Sequence, residues 1–258
     1  MSEPDAGDGR SGAERAAKED RAAFYALSPG GWRDYWTLLH PPYTLWHLSY
    51  VVIGASLAPE VNWRWLLETL AAFFLGMGVA AHALDEVHGR PLRTRIPNGV
   101  LVALAAVGLA GAIAIGVHGT VVSSPWLWAF IGAGGFAVVA YNLELFGGAF
   151  HSDVWFALGW GAFPALTSAF AQSSTVTVEA ILAAAACAGI SAAQRVLSTP
   201  VRRLRRQVTE VRGELTLDDG STEPLDAGSL RSAPEGALRW LSVAMPLLAA
   251  ALLAARLA

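Results

Sequence analysis

The chain has 258 residues, 54% of them hydrophobic and only 15% charged, with 18 Lys and Arg against 21 Asp and Glu. An ordinary soluble domain carries about 25% charged residues, and here the charge is missing from long apolar runs and gathered between them. This argues against a soluble enzyme or a nucleic-acid binder and for a chain whose solvent is lipid, where an unpaired polar group costs several kcal/mol.

Residues 1–22 are polar, mixed in charge and without the apolar core of a signal peptide, so they are expected to form a disordered cytoplasmic tail. A bilayer core takes about 20 mostly apolar residues per helix. Seven segments qualify: 42–59, 63–84, 99–117, 125–143, 153–171, 176–197 and 237–255. The sixth runs into Ser198-Thr199-Pro200, and proline ends helices. The expected fold is therefore an all-α integral membrane protein of about seven transmembrane helices. Its divisions are the tail (1–22), a bundle of six helices (23–199), a basic segment (200–236) and a last helix (237–258). In the basic segment, Glu214-Leu215-Thr216-Leu217 and the turn Asp218-Asp219-Gly220 read as a short β-hairpin. It is long enough to lie over one mouth of the bundle. A solvated linker with a lipid-contacting basic stretch fits the same composition.

Lys and Arg set the orientation. Arg10, Arg15, Lys18, Arg21 and Arg33 precede the first helix, Arg90, Arg93 and Arg95 follow the second, and six arginines from Arg202 to Arg231 follow the sixth. With alternating helices all three groups share one side, against Arg64 and Arg256 on the other. The N-terminus is expected in the cytoplasm and the C-terminus outside. Trp32, Trp36, Trp63, Trp65, Trp126, Trp128 and Trp240 near helix ends form an interfacial belt. Cys187, the only cysteine, lies in an Ala-rich run and reads as a small apolar packing residue. No helix has the repeated charges of a voltage sensor and no selectivity-filter loop is visible, which argues against an ion channel.

Ionisable residues at membrane depth are costly and mark functional sites. Here His40, His47, His82, Asp85, Glu86, His88, Tyr141, Asn142, Glu144, His151, Asp153, Gln194 and Arg195 all fall at the helix ends assigned to the cytoplasm. His82, Asp85 and Glu86 are three and four apart and share a helix face. This points to one cytoplasm-facing pocket. Its carboxylates suit Mg²⁺ with substrate phosphates. Adding the histidines (His40, His47, His82, His88 and His151, with Glu144 and Asp153) would suit Fe, Mn or Zn instead.

Three stretches carry a family resemblance. They are Pro41-Pro42-Tyr43-Thr44-Leu45 with Val51-Val52-Ile53-Gly54-Ala55; Ala81-His82-Ala83-Leu84-Asp85-Glu86-Val87-His88-Gly89-Arg90-Pro91-Leu92; and Tyr141-Asn142-Leu143-Glu144-Leu145 with Asp153 and Gly159-Trp160-Gly161-Ala162-Phe163-Pro164. In order and spacing they resemble the UbiA superfamily of intramembrane prenyltransferases. The resemblance implies a helical bundle around a cavity, in which Mg²⁺ on aspartate motifs binds a prenyl diphosphate and an acceptor captures the allylic cation. By position it implies Asp85 as a metal-binding carboxylate, Arg90 and Arg93 on the diphosphate, Tyr141 near the cation, and Asp153 near the acceptor or metal. Asn142, Gln194 and Arg195 join them as candidate substrate contacts. The chain departs from the pattern at Ala81 and Gly89, where the first motif has Asn and a second Asp. It departs again at Ser191-Ala192-Ala193-Gln194-Arg195, which has no carboxylate where the second aspartate motif would fall.

The expected function is a UbiA-like enzyme acting on an isoprenoid diphosphate. Two alternatives are a His/carboxylate metal enzyme on a lipid substrate, and a non-catalytic isoprenoid- or quinone-binding membrane protein. The expected partners are membrane lipid and a small isoprenoid, without nucleic acid.

Overall fold

The computed structural model describes residues 21–256, so all but the last two residues of the expected tail lie outside it. A short helix, α1 (Trp32–Leu38), leads into α2 (Pro41–Ala55), whose first turn carries proline where no backbone donor is needed. There follow α3 (Trp63–Val87), α4 (Asn98–Val122), α5 (Leu127–Asn142), α6 (Asp153–Ser173) and α7 (Val178–Arg206). A two-stranded antiparallel hairpin, β1 (Glu214–Thr216) and β2 (Thr222–Pro224), then precedes α8 (Ala227–Ala254).

Each of the seven expected segments is helical, but the number of spans is corrected. Five helices, α3, α4, α6, α7 and α8, are long and apolar enough to cross a membrane, as in an integral membrane protein. The other two, α2 and α5, have 15 and 16 residues. At 1.5 Å per residue they reach about 22–24 Å, short of a ~30 Å hydrocarbon core.

Two boundaries also move. The sixth expected segment does not stop before Pro200, because α7 continues through it to Arg206. Proline removes one backbone donor there, and side-chain hydroxyls occupy the neighbouring acceptor. Thr199 Oγ1 donates to the Arg195 carbonyl at 2.8 Å and Ser198 Oγ to the same oxygen at 3.4 Å. The last helix begins ten residues before the expected position 237. A capping box starts it: Asp226 Oδ1 accepts from the Ser229 amide at 2.7 Å, and Ser229 Oγ accepts from the Asp226 amide at 3.0 Å. The added turns are held by a buried ion pair, in which Glu235 accepts from Arg205 of α7 and from Arg239, both at 2.7 Å.

The core has two halves. Trp46, Tyr50 and Ile53 of α2 pack on Ala165, Cys187, Leu238 and Met245 of α6, α7 and α8, which places Cys187 as a packing residue. On the other side Val51 and Ala55 meet Phe73, Met77, Val138, Tyr141 and Trp160 of α3, α5 and α6. Central α2 is thus enclosed by its neighbours. In contrast, α4 and α8 turn most of their apolar side chains outward, as lipid-facing helices do.

Close approach of helices depends on glycine. A Cβ on Gly54 would overlap the Ala165 carbonyl oxygen, and one on Gly161 would come within 2.6 Å of the Cys187 carbonyl oxygen. Neither neighbour is a side chain that can turn away. Gly54→Ala should therefore lower stability by about 1–3 kcal/mol, the usual cost of overpacking. Thermal unfolding in detergent checks this, with Gly132→Ala, which has open space around it, melting like the parent.

Candidate functional site

At one end of the bundle the termini of α2, α3, α5, α6 and α7 enclose a polar cavity of about 900 Å³, counting its open mouth. Of the residues expected in a pocket, it brings together His40, His47, His82, Asp85, Tyr141, Asn142, His151, Gln194 and Arg195. Both α3 and α6 widen into π-helical turns beside it, at Phe74–Ala81 and Leu158–Ala162. Such turns rotate the residues that follow or occupy them, here His82 and Trp160, relative to a regular helix.

The histidines are set by carbonyl acceptors. His82 Nδ1 lies 3.0 Å from the Gly78 carbonyl and His151 Nδ1 3.0 Å from the Tyr141 carbonyl, so in each neutral ring Nδ1 donates and Nε2 keeps the lone pair. His47 Nε2 lies 3.0 Å from Gln194 Oε1. His40 has the left-handed backbone that side chains seldom adopt (φ 47°), and its ring meets His82 edge-on at 4.0 Å between centroids. Tyr141 stacks on His151 and leans on Trp160, with both centroid distances 4.5 Å.

Other expected site residues are placed elsewhere. Glu86 is fully buried and accepts from the Leu92 amide (2.9 Å), the Thr94 amide (2.8 Å) and Thr94 Oγ1 (2.8 Å). It ties down the α3–α4 connection, where Gly89, Arg90 and Arg93 all have positive φ. Arg90 works from the other side of that loop, donating to the Thr94 carbonyl (3.1 Å), the Ile96 carbonyl (2.6 Å) and Asn98. Arg93 reaches the Arg206 carbonyl at 3.4 Å and does not line the cavity. Asp153 is exposed and pairs with Arg195 Nε at 2.8 Å. His88 and Glu144 are also exposed, 4.0 Å apart. Glu144 lies 3.9 Å from His151 Nδ1, an atom already donating to the Tyr141 carbonyl. Among the described residues no group of three or more His, Cys, Asp or Glu is placed to hold a metal ion. Of the described lining residues only Asp85 is a carboxylate, so the cavity presents no ready-made cage of metal ligands.

Several wall residues were not expected. Arg202 and Arg206 line the cavity because α7 passes Pro200, and with Arg195 they stand seven and eleven residues along one helix. Read as an unbroken helix, that spacing would have put all three on one face. The chain before α1 forms part of the roof. Tyr25 packs edge-on against His40 (5.3 Å) and Tyr43 (5.5 Å), and Arg206 Nε donates to the Ala22 carbonyl at 3.3 Å. Burial pushes the Tyr25 hydroxyl well above the usual phenol range. Every residue of β1 and β2 is exposed, and none of them lines the cavity.

A second cavity, about 1020 Å³ and almost wholly apolar, opens between α3, α4, α5 and α6. Its walls include Phe73, Met77, Ile131, Val138 and Phe163, and Trp160 lines both cavities. At its far end Glu68 accepts from Arg64 at 2.9 Å and lies 3.2 Å from His118 Nδ1. No family model, curated protein or solved structure matches the chain.

These placements separate scaffold from wall. Glu86→Ala removes one acceptor from three buried donors and should cost about 2–4 kcal/mol. Glu144→Ala, at an exposed side chain, should stay within about 0.5 kcal/mol of the parent. Chemical unfolding in detergent tests both.

Proposed function

We propose that the protein is a UbiA-like intramembrane transferase whose substrate is an isoprenoid diphosphate, with the headgroup in the polar cavity and the hydrocarbon chain in the apolar groove. One observation carries this reading: a cavity lined by three guanidinium groups and one carboxylate meets a nearly pure hydrocarbon groove at a shared residue, Trp160. An amphiphile with an anionic head and a long apolar tail matches that pair of surfaces. The likeness of residues 81–92 and 141–164 to the prenyltransferase pattern points the same way.

In this reading Arg195, Arg202 and Arg206 hold the leaving diphosphate, since guanidinium matches phosphate oxygens bidentately. The allylic C–O bond breaks with its electron pair passing to the diphosphate. Positive charge then develops on the carbon beside Trp160 and Tyr141, whose ring faces attract it, while Phe156 lies between Trp160 and the Arg195 guanidinium. Trp160 and Phe156 stack at 5.7 Å between centroids with an interplanar angle of 8°. Asp85 and the lone pair of His82 supply proton acceptors for the incoming nucleophile. The Lys and Arg bias of the connections is what supports a cytoplasmic side for this cavity and the N-terminus, with the C-terminus outside, an orientation that also needs the short helices α2 and α5 to cross the membrane.

The test is diphosphate release from geranylgeranyl diphosphate by the protein in nanodiscs, with a bacterial lipid extract as acceptor source. Turnover should appear, and Trp160→Leu should lower kcat about tenfold with a smaller effect on KM, as loss of a desolvated cation–π contact predicts. Binding without any turnover would instead support the non-catalytic lipid-binding reading.

A further inference from the structure

We propose that the polar cavity neutralises its anionic headgroup with the arginines of α7 alone, so that a lipid diphosphate binds without a divalent metal. This rests on the lipid-diphosphate reading above and specifies how the headgroup is held.

The argument begins with the positive charge on the wall. Arg195, Arg202 and Arg206 all line the cavity. Only Arg195 has a carboxylate partner, Asp153, which engages its Nε at 2.8 Å. Among the described residues neither Arg202 nor Arg206 pairs with a carboxylate. Arg202 donates to Thr199 Oγ1 at 3.3 Å, and Arg206 Nε donates to the Ala22 carbonyl at 3.3 Å. These are neutral acceptors, weaker partners than a phosphate oxygen for a guanidinium. Two cations at the end of a membrane helix, facing a cavity with no carboxylate in direct contact and only Asp85 nearby on the wall, are arranged for an anion.

The negative side of the wall is sparse. Asp85 is the one carboxylate among the described lining residues. Its neighbour Glu86 is turned away and saturated by three hydrogen bonds. A dication would find one carboxylate there and three guanidinium groups whose charge repels it. Mg²⁺ is ordinarily held by one or two carboxylates together with substrate phosphates and waters, and here the lone carboxylate stands among three guanidinium groups that compete for the same phosphate oxygens. The donor set therefore favours direct contact between guanidinium and phosphate. Arg206 would exchange the Ala22 carbonyl for a phosphate oxygen, which loosens the roof formed by residues 22–25 as the head enters.

The experiment is a titration of the full-length protein in nanodiscs with farnesyl thiodiphosphate, a slowly reacting allylic diphosphate, followed by calorimetry in EDTA and again in Mg²⁺. The proposal expects the two affinities to agree within about threefold, and Arg202→Gln to weaken both by at least tenfold. Arg203→Gln, on the same helix but outside the cavity, should bind like the parent. Asp85→Asn should tighten binding, because it removes the one negative charge on the wall. Inorganic diphosphate should bind more weakly, since it leaves the groove empty. Binding that disappears in EDTA and weakens in Asp85→Asn would overturn the metal-free headgroup site and leave the lipid-diphosphate reading standing. Equal affinity for inorganic diphosphate would overturn the lipid as its ligand. No binding in either buffer would overturn both readings.

Discussion

Beyond Pro200 the last turns of α7 keep their place through one buried carboxylate. Glu235 of α8 accepts from Arg205 of α7 and from Arg239, and Glu235 and the Arg205 side chain are almost fully enclosed. A buried ion pair recovers its desolvation cost only when its geometry is good and its remaining hydrogen-bonding atoms are met. Here Arg205 also donates to the Arg21 carbonyl at 3.2 Å, so the same group draws the chain before α1 over the bundle end. Arg202 and Arg206 flank Arg205 on this extension and face the cavity. Without the helix beyond Pro200, the cavity would lose two of its three cations, and the segment 22–25 would lose its anchor.

The rest of the site follows from how glycine and π-helical turns set the inner helices. Gly54 and Gly161 let α6 approach α2 and α7 with backbone contact. That proximity brings Trp160 to the boundary between a polar and an apolar space. The π-helical stretch in α3 ends at His82, one turn before Asp85. The scaffold thus sets the charged cavity and the hydrocarbon groove on two sides of Trp160, an order that the proposed chemistry needs. Glu86 and Arg90 fix the connection beside it from opposite sides, a structural use of residue types that elsewhere bind metal or phosphate.

Much of this was legible in the sequence, and the exceptions have physical causes. His82, Asp85, Tyr141, His151, Gln194 and Arg195 could be assigned to one pocket because polar groups at the ends of apolar runs have few other tolerable places. The separate fates of Asp85 and Glu86 could not be read. Adjacent carboxylates at a helix end point in different directions, and which one the following loop captures depends on positive-φ turns at Gly89, Arg90 and Arg93. Arg202 and Arg206 were hidden by Pro200, whose helix-breaking tendency is real but weaker here than the buried Arg205–Glu235 ion pair beyond it. Hydropathy found α2 to α8 but neither the short, half-polar α1 nor the number of spans, because α2 and α5 are apolar enough and too short. The β-hairpin was recognisable from its turn, and its exposure was one of the two readings its composition allowed.

The account stands on the two cavities being one site for an amphiphile, joined at Trp160. The most direct measurement is a cryo-electron microscopy structure of the protein in nanodiscs with farnesyl thiodiphosphate. The account predicts head density within hydrogen-bonding distance of Arg195, Arg202 and Arg206, and a tail that passes Trp160 into the groove between α3, α4, α5 and α6. A headgroup bound elsewhere, or a tail that leaves the bundle without touching Trp160, would contradict it.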